Sequence, residues 1–113
     1  MINLKQIQKQ QGEWQNKNFP YDTNTTKLMC ALGVSEEAGE LAHAVLKHVQ
    51  SIRGMGDIEA ARAKVKDAIG DIAIYAMGVC NQFDLNIEDC IQDTWCEVVL
   101  KREWKTNEAG RMI

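Results

Sequence analysis

Residues 68–80 read Ala68-Ile69-Gly70-Asp71-Ile72-Ala73-Ile74-Tyr75-Ala76-Met77-Gly78-Val79-Cys80 and carry one formal charge, Asp71. A helix that is apolar on every side is a buried helix, and this run is too short to span a bilayer. Asp71 is therefore expected in or beside a core. There an unpaired carboxylate takes a proton, finds a partner or holds a metal. The acids best placed to meet it are Glu36, Glu37 and Glu40, on another strongly helical stretch.

Outward from this run, the chain reads as one all-α domain over residues 1–113. Its 113 residues are enough for a real core. The single proline and the scarcity of β-branched runs favour helix. A net charge of −3 argues against an electrostatic nucleic-acid partner. No stretch is long enough for a membrane span, and the N-terminus is too polar for a signal peptide. Cys30, Cys80, Cys90 and Cys96 have no CxxC spacing and lie in apolar helical surroundings. They read as core thiols of a reducing, cytoplasmic compartment rather than as a zinc site.

The pattern predicts four helices. Asn3 caps the first, which runs to about Asn16 with Leu4, Ile7, Gln11 and Trp14 on one modest stripe. Pro20 and the Asp/Thr/Asn cluster at 22–24 separate it from a second helix over about Thr25–Gln50. Residues 51–57, with two glycines, break the chain before a third helix over about Ile58–Asn81. Asn86 caps a fourth, expected to reach about Lys105, and residues 106–113 are expected to fray. Short connections suggest a four-helix, bundle-like fold around an antiparallel central pair, each helix about 36 Å long. The first and last helices are too weakly apolar to cover the third alone. A homodimer or homotetramer is expected to supply the missing cover.

Helical rotation of about 100° per residue sets Glu36, Glu37 and Glu40 on one broad face, with His43 and Lys47 continuing it. Asp67 and Asp71 share a face of the third helix, with Tyr75 one turn on. If these faces meet, five carboxylates converge. An acidic run usually marks a solvated face, but the apolar neighbours of Asp71 leave little room for that. Two such charges about 4 Å apart repel by about 4 kcal/mol at an effective dielectric near 20. Cations would relieve this, and all-oxygen ligation selects Mg²⁺ or Mn²⁺. Gly39 and Gly70 precede Glu40 and Asp71 and leave space for a backbone or a substrate.

Glu36-Glu37-Ala38-Gly39-Glu40, followed by Asp67-Ala68-Ile69-Gly70-Asp71, resembles the EExxE…ExxD pattern of the MazG-like, all-α nucleoside triphosphate pyrophosphohydrolases. The likeness runs from about Trp14 to Trp104. One position departs from it: Ala68 stands where the second motif has glutamate, and Asp67 is the expected substitute, direct or through water. The resemblance implies Mg²⁺-dependent hydrolysis of a nucleoside triphosphate to the monophosphate and pyrophosphate, in nucleotide housecleaning. It implies Glu37, Glu40, Asp67 and Asp71 as metal ligands and Glu36 as the group that activates water. Trp14, Lys47, Tyr75, Lys101 and Arg102 are secondary candidates for substrate contact.

Two other readings compete. Glu40-Leu41-Ala42-His43 is an ExxH, but a ferritin-like di-metal site needs two, and His48 has Ala44 and Val45 at the preceding helical positions. A non-enzymatic helical oligomerisation module would leave the acids solvated and insensitive to divalent ions.

Overall fold

Asn3 opens α1 (Leu4–Asn18) with a reciprocal cap: its side chain accepts from Gln6 N–H at 2.9 Å, and Gln6 Oε1 accepts from Asn3 N–H at 3.0 Å. Asp22 starts α2 (Thr23–Ile52) by accepting the Thr25 N–H and hydroxyl, at 3.0 and 2.7 Å. Those two bonds hold the Asp22 carboxyl below its ordinary range. Asp57 caps α3 (Ile58–Gln82) through the N–H groups of Glu59 and Ala60, and Asn86 caps α4 (Ile87–Thr94) through those of Glu88 and Asp89. Between α3 and α4, Asp84 turns the chain with φ +53°.

This computed structural model describes residues 1–52, 57–102 and 108–110, with the backbone alone at 51 and 52. Every regular element among them is a helix. Residues 53–56 of the glycine-bearing break lie outside the described residues, as do 103–107 and 111–113. Among the described residues, no helix is long and apolar enough to cross a membrane.

The last helix departs from expectation. It is α-helical only to Thr94, then widens into a π-helical turn over Trp95–Val99, closed by Leu100 N–H on the Trp95 carbonyl at 2.9 Å. Cys96 is exposed on that turn, so only Cys30 and Cys80 are fully buried thiols; all four are free.

The two long helices run antiparallel. A Cβ built on Gly33 would overlap the Tyr75 ring, and one on Gly78 would stand 2.8 Å from Cys30 Sγ. As numbers rise on α2 they fall on α3. Cys30, Ala44, Ala61 and Ala68 are buried along the pair, and these small side chains let the rods approach closely. A second cluster, Met77, Cys80 and Ile87 with Ile7, Ala76 and Cys90, ties α1 and α4 to the last turns of α3. Among the described residues α4 packs on α1 and α3 but does not reach α2.

Two apolar expectations change. The buried face of α1 consists of amides: Gln8, Gln11 and Gln15 are each 8% exposed, whereas Leu4 and Trp14 face outward. The run 68–80 is buried on one side only, with Ala68, Met77, Gly78 and Cys80 inside and Ile69, Ile74 and Tyr75 outside.

Candidate functional site

The acids gather where α2 crosses the middle of α3. Glu37 is half-buried, and its Oε2 is sealed from solvent without a hydrogen-bond donor. Burial, then the adjoining Glu40 carboxylate, then the charges of Asp71 and Glu36 push the Glu37 pKa from 4.5 up to about 7. Glu37 and Glu40 can pair only while one of them keeps a proton. Tyr75 is raised for related reasons: burial first, then the charges of Glu36, Glu37 and Asp71. Asp71 is half-buried, and Glu36, Glu40 and Asp67 are exposed. The acids therefore border open space instead of lying in a dry core, with one Glu37 oxygen the exception. Among the described residues, no three His, Cys, Asp or Glu side chains stand together in a ready-made ligating arrangement.

Two cavities flank this cluster. The larger, about 770 Å³, lies between α2 and the first half of α3, and its polar walls include Glu36, Glu40, His43, Lys47, Lys64 and Asp67. The smaller, about 470 Å³, lies between α1 and the α2–α3 pair, and its walls include Trp14, Gln15, Phe19, Glu36, Asp71 and Tyr75. Both volumes suit a small-molecule ligand. Glu36 is common to the two.

Most of the residues singled out by the sequence border these cavities; Glu37 lines neither. Lys101 and Arg102 line neither, and Lys101 pairs with Glu97 on its own turn at 2.7 Å. Trp104 lies outside the described residues. Sequence reasoning missed Lys64 and the glutamines of α1. Lys64 was legible, since Lys64, Asp67 and Asp71 repeat at i, i+3 and i+7 on one helix face.

The glycines divide into two kinds. Around Gly39 and Gly70 a Cβ would meet nothing within 4 Å, so they border open space. Gly12, Gly33 and Gly78 are positions of close contact between helices.

Compared with models of protein families, with curated proteins and with solved structures, the chain matches none.

Proposed function

We propose that the chain hydrolyses nucleoside triphosphates to the monophosphate and pyrophosphate, with Mg²⁺ or Mn²⁺ as cofactor. The observation that carries this reading is the junction at Glu36, where a cavity with lysines in its wall meets a cavity with aromatic rings in its wall. A nucleotide has the same division between anionic chain and flat ring.

Trp14, Phe19 and Tyr75 receive the base. Lys47 and Lys64 offset the charge of the phosphates in the larger cavity. Glu36, at the junction, takes a proton from the attacking water. The new bond forms from that water oxygen to the α-phosphorus. The α–β anhydride bond breaks, and its electron pair leaves with pyrophosphate.

The donor chemistry suits a hard divalent ion, which would have to draw these groups together: Glu37 brings a sealed oxygen without a partner, and the other groups are carboxylates. Glu37, Glu40 and Asp71 would hold it, with Asp67 direct or through water. When bound, such an ion neutralises phosphate charge and lowers the pKa of water.

The assembly belongs to the same reading. Leu28, Leu32 and Ile69 are 65%, 67% and 55% exposed. A homodimer or homotetramer would cover these faces and complete a four-helix bundle. The same exposure favours a second reading, an oligomerisation module without catalysis. That reading accounts for the apolar faces and gives no role to the acids or the cavities.

Glu40→Gln and Asp71→Asn test the site. Each is expected to abolish pyrophosphate release with helical content and melting intact. Near-normal turnover by either folded variant overturns the ligand assignment.

A further inference from the structure

The buried amides of α1 form a directed chain that ends at the smaller cavity. It starts on two backbone groups whose polarity is fixed. Ile87 N–H donates to Gln8 Oε1 at 2.8 Å, and Gln8 Nε2 donates to the Leu85 carbonyl at 2.8 Å. Gln8 therefore cannot be turned over. Its Nε2 also donates to Asn81 Oδ1 at 2.9 Å, which sets Asn81 in turn. Asn81 Nδ2 donates to the Gln8 carbonyl at 3.1 Å and to Gln11 Oε1 at 2.8 Å. Gln11 Nε2 then donates to Gln15 Oε1 at 2.9 Å. Cys30 Sγ stands 3.8 Å from the same oxygen, on its acceptor side. Burial raises the Cys30 pKa, which keeps its proton available for that contact.

Each link transmits one orientation, because turning any amide would set two donors or two acceptors face to face. Two glycines make room for the chain. A Cβ on Gly12 would stand 3.0 Å from Asn81 Nδ2, and one on Gly78 would stand 3.1 Å from Gln11 Nε2.

The chain ends with Gln15, which lines the smaller cavity although only 8% of its surface is exposed. Among the described residues its Nε2 donates to nothing, and it is not one of the sealed atoms. Its oxygen is already engaged. Gln15 thus offers the cavity an oriented donor without a matching acceptor.

We infer that Gln15 is a specificity-determining residue: the smaller cavity takes a nucleobase that directs a ring carbonyl to Gln15 Nε2, and rejects its counterpart with an exocyclic amine there. This inference rests on the nucleotide reading of the site. Gln8, Asn81 and Gln11 are positioning residues that act through Gln15.

The test uses base pairs that differ by carbonyl against amine, uracil with cytosine and hypoxanthine with adenine. Calorimetry with Mg²⁺ and the full chain measures UMP against CMP and IMP against AMP; pyrophosphate release measures the four triphosphates. The carbonyl member of at least one pair is expected to bind about tenfold tighter or more, the penalty for facing a buried donor with another donor. Gln15→Leu should level the pair, and Gln15→Glu, which exchanges the donor for an acceptor, should reverse it. Asn81→Leu should erode the preference with Gln15 unchanged, which a merely structural role would not do.

Equal binding within both pairs by the wild-type chain overturns the inference, whether or not any variant folds. So does the absence of binding by all four monophosphates. Carbonyl preference without hydrolysis keeps the inference and removes the hydrolase. Hydrolysis with no preference does the reverse.

Discussion

Glu37 has one carboxylate oxygen closed off from water. Its pKa of about 7 stands above the ordinary 4.5, so the folded chain holds that proton more tightly than the unfolded chain does. The contribution to stability is full below about 4.5, declines as pH rises towards about 7, and is flat above. Without divalent ions, melting temperature should therefore fall across that window, and Glu37→Gln should remove the part of the fall that belongs to this group. Ligation requires the carboxylate, so millimolar Mg²⁺ should raise melting temperature more at about pH 8 than at about pH 6. A shift of equal size at both values would remove Glu37 from the ligand set. No shift at either would favour the module without catalysis. The raised pKa was not visible in the residue types. It comes from burial first, and then from the carboxylates of Glu40, Asp71 and Glu36 that the fold brings near.

At the scale of elements, the caps at Asn3 and Asn86 and the acidic faces of α2 and α3 were legible, because each depends on residues a few positions apart. The buried side of α1 was legible in part: Ile7 and Gln11 stand on the expected stripe, whereas Gln8 and Gln15 do not. A glutamine reads as surface until a partner amide is known, and the partner Asn81 lies 73 residues away from Gln8. The widening at Trp95–Val99 left no mark in the periodicity either. The glycines were legible as unusual, but their two roles were not separable without the helix register. Gly33 faces the Tyr75 ring, so Gly33→Ala forces the ring or the helices to move. It should cost about 1–3 kcal/mol, as overpacking does, measured by urea unfolding. Gly39 has nothing within 4 Å of where its Cβ would stand. Gly39→Ala should gain up to about 1 kcal/mol from helix propensity while reducing turnover, because it narrows the larger cavity that Gly39 lines. A stable Gly33→Ala would mean that the Tyr75 ring swings aside freely, and a Gly39→Ala that loses stability would mean that this face of α2 is covered.

For the whole molecule, the radius of gyration is 17.7 Å, against about 13 Å for a compact domain of this length. The difference has a structural source: α1 and α4 gather at the last turns of α3, and among the described residues the outer faces of the long pair stay bare. Along α2 the exposed positions Leu28, Leu32, Ser35, Gly39, Ala42, Leu46 and Val49 alternate steps of four and three. That is the spacing of a helix seam, with large side chains at its ends and small ones in the middle. Isolated exposed leucines need no explanation, whereas a stripe of this kind is where the proposed assembly would make its contact. A second copy of this chain has the same stripe, and a two-fold contact matches such a stripe with itself. Sedimentation should therefore give a dimer or tetramer. Leu28→Glu or Leu46→Glu, each placing a charge in that seam without touching either cavity, should shift the protein towards monomer and lower its melting temperature in a concentration-dependent way. A wild-type chain that sediments as a monomer at high concentration, with a melting temperature independent of concentration, would mean that α2 leaves this face to water.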